Sequence, residues 1–245
     1  MGETQYHIAV ILYLYAAMGR HFRNAEKLYV GADMLLYYEE GNPAAVVVPD
    51  VFVVKGVGKF PRRTFKIWEE RTSPCVVFEI TSRSSRLEDL GNKRALYEML
   101  KVKEYFLFDP LDEYLSPRLQ GFRLTGNLYQ PILLQDGSVT SEELGLILKP
   151  EGTLLRLLDA VSGSALPTMD EIADQMQTES DRAQAETQRA DAETQRADAQ
   201  TQRADAQTQR ADAQTQRADA ESQRADRAEA ELVRLRAELQ RRRQD

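Results

Sequence analysis

Val46-Val47-Val48-Pro49-Asp50-Val51-Phe52-Val53-Val54 is apolar on both alternating faces of an extended chain, with one exception. A β-branched run of this kind marks a strand covered on both sides. One of its faces reads Val46, Val48, Asp50, Phe52, Val54, so an acid stands in an otherwise apolar row. The same pattern recurs in Cys75-Val76-Val77-Phe78-Glu79-Ile80, where Glu79 has apolar neighbours on both faces. An ionised carboxylate in such surroundings costs several kcal/mol unless something compensates it. One such acid is an accident of a strand end; two call for a shared cation.

A third charge is misplaced in the same sense. Ser84-Ser85 offers a helix N-cap and Glu88, three residues after Ser85, completes a capping-box pattern, so a helix is predicted to run to about Lys101 or Val102. At about 100° per residue, Leu90, Leu96, Tyr97 and Leu100 define its inward face, and Lys93 falls near the middle of that face with Asp89 one turn before it. A lysine placed there needs partners, and two buried carboxylates would supply them. Two acids and a lysine converging from adjacent elements can hold Mg²⁺ or Mn²⁺ through hard oxygen ligands, with the lysine orienting water or offsetting charge on a phosphate.

Outward from these stretches, Gln5 to Phe22 is apolar without turn residues until Gly19, which predicts a buried first helix; His7 on it reads as a satisfied core or helix-start histidine. Lys27 to Tyr38 predicts one or two strands broken at Gly31-Ala32-Asp33, and Gly41-Asn42-Pro43 a turn. Val57 to Pro74 is polar and basic: Lys59, Arg62, Arg63 and Lys66 lie among Phe60, Phe65 and Trp68, and are candidate contacts to DNA phosphates or simply a charged loop. Glu104 to Phe108 predicts a short strand, and Thr125-Gly126-Asn127 the turn of a hairpin between Gln120–Leu124 and Leu128–Leu134. Pro150 to Pro167 reads as a closing segment. The order of elements predicts an α/β domain with a mixed sheet flanked by helices.

The chain has 245 residues and a formal net charge of −7, so its bulk charge does not announce a nucleic-acid partner. Its single cysteine, Cys75, has no internal disulfide partner and suits a reducing compartment. The apolar stretch Ile8 to Met18 lacks a preceding Lys or Arg and is too short to span a bilayer, so the expectation is a cytoplasmic protein without a membrane segment.

Aromatic residues stop before residue 170, and from Ala185 the heptad Ala-Glu/Gln-Thr/Ser-Gln-Arg-Ala-Asp repeats to Asp226. A 3,4 seam runs through Thr187, Ala190, Thr194 and Ala197 onward and gains Leu232, Leu235 and Leu239, which predicts a long α-helical tail. Ala and Thr bury little area, so a coiled-coil homo-oligomer through the C-terminal helix would be anchored mainly by the Leu cluster; a solvated single helix or a partly frayed tail is the other reading. The predicted organisation is a domain over 1–160, a linker and helix start over 161–184, and the heptad-repeat tail over 185–245.

The segments Val48-Pro49-Asp50-Val51, Val77-Phe78-Glu79-Ile80-Thr81-Ser82-Arg83-Ser84-Ser85, Asp89-Leu90-Gly91-Asn92-Lys93-Arg94-Ala95-Leu96-Tyr97 and Val102-Lys103-Glu104-Tyr105-Phe106-Leu107-Phe108-Asp109-Pro110 resemble the PD-(D/E)XK nuclease superfamily. The closer likeness is to a large bacterial family of restriction-endonuclease-like proteins abundant in cyanobacteria. It covers about residues 5–160 and leaves the tail outside. The resemblance implies a restriction-endonuclease-like fold and a Mg²⁺- or Mn²⁺-dependent endonuclease acting on DNA. In it Asp50, Glu79 and the Ile80 carbonyl are metal ligands, and His7 matches a family histidine. Thr81 stands where the superfamily has its lysine, and the resemblance to the closer family implies a lysine on the following helix, here Lys93. Two functions stay open: an active endonuclease, or a nuclease-fold module of weak or lost activity used for binding and assembly through its tail.

Overall fold

The computed structural model describes residues 4–82 and 85–241, with side chains as far as residue 237. The chain divides into two compact units, Met1–Ala173 and Asp174–Asp245. The first is α/β. Helix α1 (Gln5–His21), capped by Thr4, leads into β1 (Leu28–Ala32), and β2 (Leu36–Tyr37), β3 (Val46–Val47), β4 (Val51–Lys55) and β5 (Phe65–Lys66) follow. A short α2 (Ile67–Glu70) precedes β6 (Val76–Ile80). From β6 the chain passes through α3 (Arg86–Glu88), a π-helical turn (Asp89–Lys93) and α4 (Arg94–Met99) to β7 (Glu104–Phe108), then into β8 (Leu119–Thr125) and β9 (Leu128–Ile132). The main sheet has the order β1-β4-β6-β7-β8-β9, and within it only β6 and β7 run parallel. Parallel neighbours need a crossover, and the α3–α4 segment supplies it.

All five residues of β6 and all five of β7 are buried. This is why both read as unbroken apolar runs rather than alternating ones. On one face of the sheet, Val10, Leu14 and Met18 of α1 pack on Val51, Val53, Val76 and Phe78. On the other, Tyr97 of α4 packs with Phe52, Val54, Val77, Tyr105 and Leu107. Glu79 shares the register parity of Val77 and so belongs to the α4 face, while Asp50 immediately precedes β4 at the end of the ladder.

Three expectations are corrected. Val46–Val54 is not one strand: β3 joins a small sheet of order β3-β2-β5, while β4 joins the main one. Proline cannot donate to a ladder, and the break falls around Pro49. The helix after Glu79 is not a continuous α-helix. Across its π turn the 100° wheel fails, so Leu90, expected inward, is 36% exposed, while Asp89 beside it is 1% exposed. Finally, residues from Val139 onward build a second three-stranded sheet, β10 (Val139–Ser141), β11 (Leu146–Glu151) and β12 (Leu154–Asp159), whose Leu146, Leu148, Leu155 and Leu157 complete the α1-side core.

The expected linker over 161–184 is divided between the units. Leu166 is buried in the core, and the Tyr13 hydroxyl donates to its carbonyl. Thr168 and Glu171 form a reciprocal capping box that starts α5 (Met169–Arg241), and Glu171 also pairs with Arg156. The second unit is the remainder of α5. Its 73 residues give the whole helix a length of roughly 110 Å. The hydroxyls of Thr187, Thr194, Thr201, Thr208 and Thr215 each donate to the carbonyl four residues back, so the seam threonines are bonded within their own helix. Leu232 and Leu235 are exposed; Leu239 lies outside the described side chains. Among the described residues no helix is long and apolar enough to cross a membrane.

Candidate active site

Pro49-Asp50 sits where the β4–β6 ladder stops. The paired register runs Val53↔Val76 to Val51↔Phe78 and, continued, would set Pro49 against Ile80. Proline has no N–H for that position. The Asp50 carboxylate takes the place of a ladder partner instead: its Oδ2 accepts the Ile80 N–H at 2.6 Å. The N–H and C=O of one strand residue point to the same side, so the Ile80 carbonyl faces the Asp50 side, where Pro49 has no donor to offer it. The other carboxylate oxygen, Oδ1, lies 3.4 Å from Nε2 of His7, which α1 holds at 5% exposure.

Glu79 is the deepest charge of the group, at 1% exposure. Its Oε2 accepts from Lys93 Nζ at 2.8 Å and its Oε1 from the Tyr97 hydroxyl at 2.6 Å. Lys93 ends the π turn and Tyr97 lies four residues on in α4, so the crossover presents both donors to one carboxylate. The Lys93 ammonium also lies 3.2 Å from Asp89 Oδ1. Burial, and then the neighbouring Asp50, push the Glu79 carboxyl up to about 8 despite the lysine. Burial likewise raises Asp89, with Lys93 acting against it. Burial alone would lower Lys93, but Glu79 and Asp89 outweigh it and hold the ammonium protonated.

A buried acid in a strand is not in itself a site, as Glu104 demonstrates. It too is 1% exposed, at the start of β7, yet Arg123, the Ser141 hydroxyl and the N–H groups of Glu142 and Glu143 all donate to it. Glu104 is thus fully compensated. The Asp50–Glu79–Asp89 cluster is not, since three carboxylates share one lysine. Among the described residues no three His, Cys, Asp or Glu side chains are placed as a metal cage. The donors on hand are two carboxylates and a backbone carbonyl, all hard oxygens, which suit Mg²⁺ or Mn²⁺. A divalent cation would also bring three acids and one lysine to neutrality, so the residues fit such an ion.

The four basic residues of the segment read as either candidate DNA contacts or a charged loop are placed differently from one another. The Arg62 side chain is 3% exposed, bonds Glu70 through Nε and Nη2 at 2.6 and 2.9 Å, and stacks over Phe60 and Tyr29. It is a structural clamp. Lys59 donates to the carbonyls of Phe22 and Arg23, and Lys66 pairs with Glu69. Arg63 is exposed.

The structure brings Asp50, Glu79, Ile80 and Lys93 together and adds Tyr97, Asp89 and His7. Tyr97 read in the sequence as a core aromatic; its spacing of four from Lys93 was the available signal. For Asp89 the signal was its place one turn before Lys93.

Residues 1–151 match the Uma2 family, described as "Putative restriction endonuclease". No curated protein matches the chain. A crystal structure of a "putative nuclease belonging to DUF820" from Anabaena variabilis superposes with a TM-score of 0.43 at 12% identity, covering 59% of this chain and 76% of that one. That is too slight a likeness to say anything of activity.

Proposed function

This chain belongs to the Uma2 family, and on that premise we propose that it is a metal-dependent endonuclease that hydrolyses DNA phosphodiester bonds in the cytoplasm. The observation that carries the reading is that Asp50 bonds the N–H of Ile80, the residue after Glu79, while Lys93 is bonded to Glu79. Asp50, Glu79 and the Ile80 carbonyl would hold Mg²⁺ or Mn²⁺. Bound there, the ion supplies Lewis-acid polarisation of a phosphodiester and a water of lowered pKa.

The chain's own groups do the rest. Tyr97 fixes one oxygen of Glu79 and so sets the direction of the other. The Ile80 N–H holds one oxygen of Asp50, leaving Oδ1 toward His7. Lys93 remains charged and stands ready to orient water or offset charge on the phosphate. Arg63 and the neighbouring lysines are the remaining candidates for backbone phosphate contacts. The tail serves self-association through Leu232 and Leu235, which would bring two sites to the two strands of a duplex.

The test is supercoiled-plasmid cleavage in Mg²⁺, Mn²⁺ and EDTA by wild type, Asp50→Asn and Lys93→Met. Cleavage is expected only in wild type and only with metal. Wild-type cleavage that persists in EDTA, or a fully active Asp50→Asn protein, refutes the reading.

A further inference from the structure

We infer that Asp89 is a positioning residue that receives the Lys93 ammonium when Glu79 turns to a divalent cation. The inference rests on the metal-dependent reading above and goes beyond it, because Asp89 is neither one of the metal ligands nor a reacting group in that reading.

The π turn is the first part of the case. Across it Leu90, which a regular wheel turns inward, is 36% exposed, while Asp89, one turn before Lys93, is 1% exposed. The turn is held from the sheet, since the buried Tyr105 hydroxyl donates to the Asp89 carbonyl at 2.9 Å. A carboxylate thus stands in the interior within 3.2 Å of the lysine.

The second part is an asymmetry between the two acids that flank Lys93. Both oxygens of Glu79 have a donor, Lys93 on one and Tyr97 on the other. Asp89 is held more loosely: the Lys93 ammonium is 3.2 Å from its Oδ1, the Ser85 hydroxyl bears on it, and no hydrogen bond of good geometry closes on either oxygen among the described residues. A buried carboxylate so weakly bonded has capacity left for a donor. Lys93 stands 2.8 Å from one acid and 3.2 Å from the other.

The third part is what a cation on Glu79 would do. An ammonium 2.8 Å from Oε2 occupies the lone pairs that an ion would need, and the two positive charges would repel at that distance. Oε1 is no refuge, because Tyr97 holds it. A short shift of the flexible Lys93 stem, already 3.2 Å from Asp89, relieves the repulsion and tightens the bond to that carboxylate in the same movement. It also keeps the ammonium beside the site, where the proposed chemistry needs it. Asp89 thus acts on the metal through Lys93, by giving the displaced charge a place to rest.

The test is Mn²⁺ binding to the full chain by titration calorimetry without DNA, in wild type, Asp89→Asn, Lys93→Met and the double variant. With Lys93 present, Asp89→Asn is expected to weaken Mn²⁺ about tenfold. In the Lys93→Met background the same change should cost less than about threefold, because the ammonium that needed a partner is gone. Lys93→Met alone should bind at least as tightly as wild type, having lost its competitor. An equal loss in both backgrounds would make Asp89 a direct ligand or a structural acid and overturn the hand-off alone. Failure of wild type to bind Mn²⁺ would instead overturn the metal reading and the hand-off with it. Asp89→Ala, which leaves no polar atom, gives the same comparison if Asn disturbs the π turn.

Discussion

Glu79→Gln should make the metal-free protein more stable at neutral pH, and the structure sets the size of the gain. Glu79 has an ordinary carboxyl value of 4.5 when unfolded and about 8 in the folded chain. A folded value above the unfolded one means that the group's contribution is fully present below 4.5 and is lost as pH rises toward 8. At about 1.4 kcal/mol per unit, the ionisation open to Glu79 in the unfolded chain and opposed in the folded one costs at most about 3 kcal/mol at pH 7. Glutamine keeps the shape and the capacity to bond Tyr97 but never ionises. Wild type and Glu79→Gln should therefore unfold alike near pH 5 in EDTA. By pH 7 the variant should lead by up to about 3 kcal/mol, or roughly 6–12 °C for a unit of this size. Burial raises Asp89 in the same direction, and in the variant Lys93 is left to Asp89 alone, which adds to the gain. The single tryptophan, Trp68, lies in the first unit, so its fluorescence during denaturation follows that unit alone. Parallel pH profiles for the two proteins would refute the placement of Glu79 as an under-compensated buried acid. Mg²⁺ should narrow the gap by stabilising only wild type.

Arg62→Ala should cost about 3 kcal/mol of stability, because it breaks a buried pair with Glu70 and removes a cation stacked on two rings; an unchanged denaturation midpoint with weakened DNA binding would restore it as a DNA contact. A chain ended after Arg182 should match the full chain in Trp68-monitored stability, whereas one ended after Ala160 should lose about 4 kcal/mol with Leu166, the Tyr13 bond and the Arg156–Glu171 pair. Equal stability of the two truncations would show that residues 161–173 are a linker after all. Light scattering on the full and Arg182-ended chains tests the tail, with more chains per particle expected for the full chain and an equal number in both refuting it.

The buried strands, the first helix, the tail and the trio Asp50, Glu79 and Lys93 were legible in the sequence, because each follows from local periodicity. An acid in an unbroken apolar run is anomalous wherever the run ends up, and a heptad repeat is helical whatever it touches. What the sequence did not contain is whether a buried charge is compensated. Glu79 and Glu104 both stand in apolar strands, and only the fold gives one of them an arginine, a hydroxyl and two N–H groups while leaving the other to share a lysine. The π turn was hidden for the same reason. It is held by the Tyr105 hydroxyl on the Asp89 carbonyl, a contact no local pattern encodes, and it takes Leu90 off the wheel while Lys93 and Tyr97 stay inward. The basic segment likewise read as a surface until the fold closed Arg62 onto Glu70. Periodicity reports which face of an element turns inward; what waits for a side chain on that face is a long-range fact, decided only when distant strands meet.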